Sequence, residues 1–115
     1  MAKPVGPYTP VVRAGDWLVV SGQVGVVDGE LVRGGMEAEL RQALANLQAL
    51  LEGEGASLAN VVKTIVFLRH IDDYGPMNEV YTEVFGSHRP ARSAVAVAGL
   101  PLGAIVEVEA WAYVG

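Results

Sequence analysis

The sequence predicts an α+β domain: a mixed β-sheet with two helices packed on one face. Apolar residues alternate with a period of two in several short stretches. The period lengthens to about 3.6 in two separate stretches. The resulting order is strands, helix, strand, helix, two strands, which suits helices gathered on one side of a single sheet. At 115 residues, without repeat, low-complexity tract or linker, residues 1–115 are expected to form one domain.

Trp17 to Val24 (WLVVSGQV) is strand-like and is preceded by Val11 to Arg13 across the turn Ala14-Gly15-Asp16. Val26-Val27 and Leu31-Val32 flank Asp28-Gly29, a dipeptide that tolerates the positive φ of a type I′ hairpin turn. After Gly34-Gly35, Leu40, Ala43, Leu44, Leu47 and Leu51 fall on one face of a helix from about Met36 to Glu52. Gly53 suits its C-terminal cap. Val61 to Leu68 (VVKTIVFL) is the next strand, β-branched at most positions. A second helix has Asp72 or Asp73 near its N-terminus and Pro76 in its first turn, where a missing N–H costs least. Met77, Val80, Tyr81 and Val84 form its apolar stripe, and Gly86 ends it. Two strands close the chain, Ser93 to Ala98 and Ile105 to Tyr113, joined by Gly99-Leu-Pro-Leu-Gly103.

Composition narrows the function classes. Hydrophobic residues make up 51% and charged ones only 18%, a balance that opposes disorder. A formal net charge of −5 lacks the basic footprint of a nucleic-acid binder. The longest apolar run, Ala94 to Val106, is broken by Gly99, Pro101 and Gly103, so no membrane span is expected. The opening MAKPVGPYTP has no apolar h-region, and the chain has no cysteine; a cytoplasmic location is the expectation. The absence of cysteine removes thiolate nucleophiles, disulfides and Cys-based zinc sites. His70 and His88 are too few and too isolated for a zinc site, though His70-x-Asp72 could take up a metal adventitiously, so no metal is expected. Ser21 has no general base nearby in sequence, and the glycines fit neither G-x-G-x-x-G nor the Walker pattern.

Two features stand out. In PARSAVAV, residues 90–97, a permanent cation at Arg92 is followed by Ala94, Ala96 and Ala98 on one side of a strand, too small to fill a core. In the last strand Val106, Val108, Ala110 and Ala112 point one way, toward the helices. Ile105, Glu107, Glu109, Trp111 and Tyr113 point the other way. A second face that mixes carboxylates with large apolar groups suits subunit association better than bare solvent.

GPY at Gly6 to Tyr8, SGQ at Ser21 to Gln23, VKTIVFL at Val62 to Leu68, Asn78, and PARSAVAVAGLP…IVEVEAWA together resemble the RidA family, the reactive-intermediate deaminases also called YjgF proteins. The resemblance covers nearly the whole chain in order. It implies a chorismate-mutase-like fold, a homotrimer with small-ligand sites in the clefts between subunits, and no metal or organic cofactor. The activity it implies is hydrolysis of 2-imino acids, 2-iminopropanoate and 2-iminobutanoate, to 2-oxo acids and ammonia.

Those substrates carry a carboxylate beside a C=N bond. The planar fork of Arg92 can bind a carboxylate in bidentate fashion, and the small side chains after it leave room for a ligand. Without the resemblance, Arg92 reads equally as a surface ion-pair partner. Glu107 matches the family's water-positioning glutamate; placed near Arg92 it would stay ionised and be a weak base, adequate for a protonated imine. Glu109 is the fallback, and Glu107 as a rim or interface carboxylate is the alternative. Tyr8 matches the tyrosine that borders the imine nitrogen. Ser21 and Gly22 allow close backbone approach. Asn78 joins the substrate-binding set by match alone, and Ala94 does so through its backbone N–H. Ala94 stands where many members have cysteine, and Arg89 stands where an aromatic residue is frequent. The first alternative is a non-catalytic trimer that binds small carboxylates; a ribonuclease or translation inhibitor is the weaker one.

Overall fold

The computed structural model describes Pro4 and residues 6–115, so the opening segment read above for a leader lies partly outside them. Its strands are β1 (Val11–Ala14), β2 (Trp17–Gln23), β3 (Val26–Val27), β4 (Glu30–Leu31), β5 (Val61–Leu68), β6 (Ala91–Ala96) and β7 (Val106–Tyr113). The helices are α1 (Gly35–Gly53) and α2 (Tyr74–Phe85). β3 and β4 form the expected hairpin, with Asp28 at φ 53° and Gly29 at φ 83°; its register pairs Val27 with Glu30, one residue earlier than expected. The other five strands make one mixed sheet in the order β1-β2-β7-β5-β6. β5 and β6 run parallel with α2 as their crossover, while β7 is antiparallel to both of its neighbours. The expected α+β architecture is therefore present, with one face of the sheet covered by the two helices.

That face is the core. Leu40, Ala43, Leu44, Leu47 and Leu51 of α1 are fully buried, as are Leu18 of β2, Val66 and Leu68 of β5, and Val106 and Val108 of β7. Burying each such leucine or valine contributes about 1.5–3 kcal/mol relative to leaving it exposed. Met77, Val80, Tyr81 and Phe85 bring α2 onto the same cluster. Several polar groups at the core are paired. The Tyr81 and Thr64 hydroxyls share a 2.7 Å hydrogen bond, Glu39 Oε1 accepts from the Ile105 N–H at 2.9 Å, and Asn46 donates to the Val24 and Val26 carbonyls.

Two boundary expectations change. The glycine that closes α1 is Gly55 (φ 78°), beyond the Glu54 cap, with the Ala56 N–H reaching back to the Leu51 carbonyl; Gly53 is still helical. The aspartates fall where expected: Asp73 is the N-cap residue of α2, at the end of a 3₁₀ turn that also holds Asp72, and it caps without a side-chain bond. β6 starts at Ala91, so Arg92 lies inside the strand instead of before it.

Strict alternation also fails at two places. Between Val20 and Gln23 of β2 the register advances by three residues against two on β7, so Ser21 and Gly22 together oppose Glu109. A similar step at Val62 lets Val61 and Thr64 both face the core. Gly25 marks another constraint. A Cβ there would lie 2.5 Å from the Glu39 carbonyl oxygen and 2.6 Å from its Cα, so the hairpin can rest on α1 only with glycine at this position. Because those atoms are backbone and cannot swing away, Gly25→Ala is expected to destabilise the protein by about 1–3 kcal/mol, measured by denaturant unfolding.

Candidate active site

The sequence-predicted residues divide into two groups on opposite faces of the sheet. On the face away from the helices, β7 presents Glu107 and Glu109, and the irregularity in β2 brings Ser21 and Gly22 beside them. Tyr8, Ser21, Gly22, Gln23, Phe67 and Glu107 help line a cavity of about 360 Å³. Gly22 is what makes room for the carboxylate: a Cβ there would lie 2.7 Å from Glu107 Cδ and 2.9 Å from Oε2. Ser21 acts as a fastener. Its hydroxyl donates to the Thr9 carbonyl at 2.7 Å and its N–H to the Pro10 carbonyl at 2.8 Å, which holds the Tyr8 segment over β2.

Glu107 is half-buried, and burial pushes its carboxyl above the ordinary glutamate value of 4.5, with the neighbouring Glu109 charge adding to the rise. This corrects the expectation that Arg92 would hold Glu107 ionised. β5 lies between β6 and β7, so the two residues are not on adjacent strands. Their parity also differs: Arg92 pairs with core-facing Thr64, whereas Glu107 pairs with Phe67, which faces away from the core. Within one chain they do not meet.

The second group surrounds Arg92 on the helix-covered face. Its guanidinium lies 4.9 Å from the Tyr81 ring centroid and 5.5 Å from that of Tyr74. It donates to the Tyr74 hydroxyl at 3.1 Å and to Met77 Sδ at 3.6 Å. Every one of these partners is neutral. Among the described residues the ion pairs involve only Arg13 and Arg41 as cations, so the surface ion-pair reading of Arg92 is not what the structure contains. Asn78, Tyr81, Thr82, Arg89, Pro90 and Arg92 line an open cavity of about 370 Å³. Asn78 is among the lining residues, and its buried Oδ1 has no hydrogen-bond partner among the described residues.

Ala94 follows Arg92 on the same face of the edge strand. The Val97 N–H donates to the Leu68 carbonyl at the end of the parallel ladder. The alternation this sets turns the Ala94 N–H away from β5, off the free edge. Tyr74, Met77 and Tyr81 are the functional neighbours that sequence reasoning missed. Tyr81 and Met77 read as core stripe, and Tyr74 carried no signal until the crossover laid α2 beside β6.

Comparisons with known proteins agree along the whole chain. The family model described as Endoribonuclease L-PSP matches residues 1–114. The 2-iminobutanoate/2-iminopropanoate deaminase of Homo sapiens is 42% identical over 113 residues, covering 96% of this chain and 82% of that protein. A RutC family protein of Pyrococcus horikoshii is 44% identical over 113 residues, covering 96% and 90%. The crystal structure of RidA from an Antarctic Psychrobacter bacterium superposes with a TM-score of 0.93 at 39% identity, covering 96% of this chain and 91% of that one.

The cause of the Glu107 shift is open to test. Followed by carbon NMR, Glu107 in the isolated subunit is expected to titrate above 4.5, and Glu109→Gln to move the midpoint down partway, since burial remains. An unchanged midpoint in that variant would rule out the charge contribution. The folded-state value lies above the unfolded one, so ionising Glu107 works against folding. Glu107→Gln should therefore raise the Tm of the isolated subunit at neutral pH, an advantage that fades as pH falls to the ordinary carboxylate range.

Proposed function

Because the chain belongs to the Endoribonuclease L-PSP family, also called YjgF or RidA, we propose that it hydrolyses 2-imino acids to 2-oxo acids and ammonia at a site shared between two subunits of a homotrimer. The observation that carries this reading is Arg92: a guanidinium held by neutral groups, in an open cavity, with no ion-pair partner among the described residues. Such a cation is prepared for a carboxylate that arrives with a ligand. The relatives named as imine deaminases support the choice of substrate class.

In this mechanism Arg92 of one subunit grips the substrate carboxylate through its planar fork. The Asn78 carbonyl oxygen accepts a hydrogen bond from the protonated imine, and the Ala94 N–H lies along the same edge. The adjacent subunit contributes Tyr8 at the imine nitrogen, the backbone at Ser21-Gly22, and Glu107. Glu107 orients a water and takes its proton as the oxygen bonds to C2. The C=N π electrons return to nitrogen and give a carbinolamine. Glu107 then passes the proton to nitrogen; as the C–N bond breaks with its electron pair and ammonia leaves, the freed Glu107 carboxylate takes the hydroxyl proton and the carbonyl forms. Water is the only co-reactant. The arrival of Arg92 from the neighbour lowers the Glu107 pKa, so assembly ionises a carboxylate that resists ionisation in the isolated subunit.

The endoribonuclease wording attaches to the family. A net charge of −5 and a small-ligand-sized cavity at Arg92 favour the imine over RNA.

With 2-iminopropanoate generated in situ by an amino-acid oxidase, the protein is expected to accelerate its decay, and Arg92→Ala to lower kcat/KM by about 100-fold. Wild-type activity in that variant would refute the assignment. Mixing Arg92→Ala subunits with Glu107→Gln subunits under exchange should restore roughly a quarter of wild-type activity, because random trimers then contain intact shared sites. Failure to recover would place both residues in one subunit's site and contradict the shared geometry.

A further inference from the structure

We propose that Arg89 and Arg92 form a paired-cation site that selects 2-imino acids bearing a second carboxylate on the side chain, the imines of acidic amino acids. This inference rests on the imine-hydrolase reading above and names its substrate class.

Both arginines line the same cavity of about 370 Å³, together with Asn78, Tyr81, Thr82 and Pro90. No aspartate or glutamate lines it. Among the described residues neither arginine belongs to an ion pair, although the chain has 13 acidic residues against 8 basic ones. Arg33, Lys63 and Arg69 also stand outside the ion pairs; what distinguishes Arg89 and Arg92 is that both line one cavity. Both sit close enough to the Tyr81 hydroxyl to oppose the upward push that burial gives it.

The backbone explains how they converge. Residues 89 and 92 would point to opposite sides of a continuous strand. β6 begins only at Ala91, however, so Arg89 approaches through Pro90 from the end of α2. The Arg89 guanidinium donates to the Gly86 carbonyl at that helix end, which fixes its stem and leaves further N–H groups for a ligand. Arg92 is likewise held by Tyr74 and Met77. Two fixed cations in one cavity repel each other, and a ligand with one carboxylate neutralises only one of them. A dicarboxylate, with its charges one or two methylenes apart, satisfies both forks. The side-chain carboxylate is bound and not transformed, so the hydrolytic step is unchanged.

The alternative role for Arg89 is a helix cap alone, and one experiment separates the two. Imines of glutamate and of its neutral counterpart 2-aminopentanoate are generated by oxidases, and kcat/KM is measured for wild type, Arg89→Leu and Arg89→Lys. Wild type is expected to favour the dicarboxylic imine, and Arg89→Leu to lower that selectivity ratio by about tenfold, with partial retention in Arg89→Lys. The preference should weaken as salt rises. An unchanged ratio in Arg89→Leu, with or without a lower Tm, would reduce Arg89 to a cap and overturn the proposal. Competition binding of 2-oxoglutarate against 2-oxopentanoate reads the same selectivity without turnover. If no imine is hydrolysed but 2-oxoglutarate binds better and loses that advantage in Arg89→Leu, the hydrolase reading fails while the paired-cation site stands.

Discussion

Strand β7 lies between β2 and β5, bonded antiparallel to both, and the placement of the functional groups follows from that position. Its alternation sends Val106, Val108, Ala110 and Ala112 into the core and holds Glu107 and Glu109 on the opposite face. Inserting β7 also makes β5 the only neighbour of β6 among the described residues, and the two run parallel. Arg92, aligned with the buried Thr64, is thereby committed to the helix side. One topological choice separates the cation from the carboxylate.

Each half is then prepared by its own surroundings. On the helix side, the buried bond between Thr64 and Tyr81 fixes a ring whose face meets Arg92. The core therefore orients the guanidinium without supplying a counter-charge. On the other face, the irregularity in β2 re-aims Ser21 and Gly22, and the missing Cβ of Gly22 is the space that the Glu107 carboxylate fills. Burial and Glu109 leave that carboxylate reluctant to ionise. In the proposed shared site, a neighbouring subunit's arginine would complement it, as an incoming carboxylate would complement Arg92. Ligand binding and association would draw on the same electrostatic imbalance.

Most of the fold was legible from local pattern. The Asp28-Gly29 hairpin, the leucine face of α1 and the division of β7 into two faces were all read from periodicity and turn chemistry, and all are present. Where the reading failed, a non-local contact decided the outcome. Gly55 closes α1 in place of Gly53 because the Ala56 N–H reaches back to Leu51. A further departure from simple alternation, on which the sequence reading took no position, is Gln23, turned inward because a two-against-one pairing shifts the parity of β2.

The sequence by itself determined the kinds of group available: a permanent cation, two carboxylates on one strand face, small residues beside them, and no thiol. Side-chain chemistry and the two-residue period are local properties, so those conclusions needed no partner strand. Only the tertiary structure decided which groups meet. Strand order and register depend on hydrogen bonds between residues far apart in sequence, and these placed β5 between β6 and β7. That placement set Arg92 among Tyr74, Met77 and Tyr81, and left Glu107 to wait on the other side of the sheet.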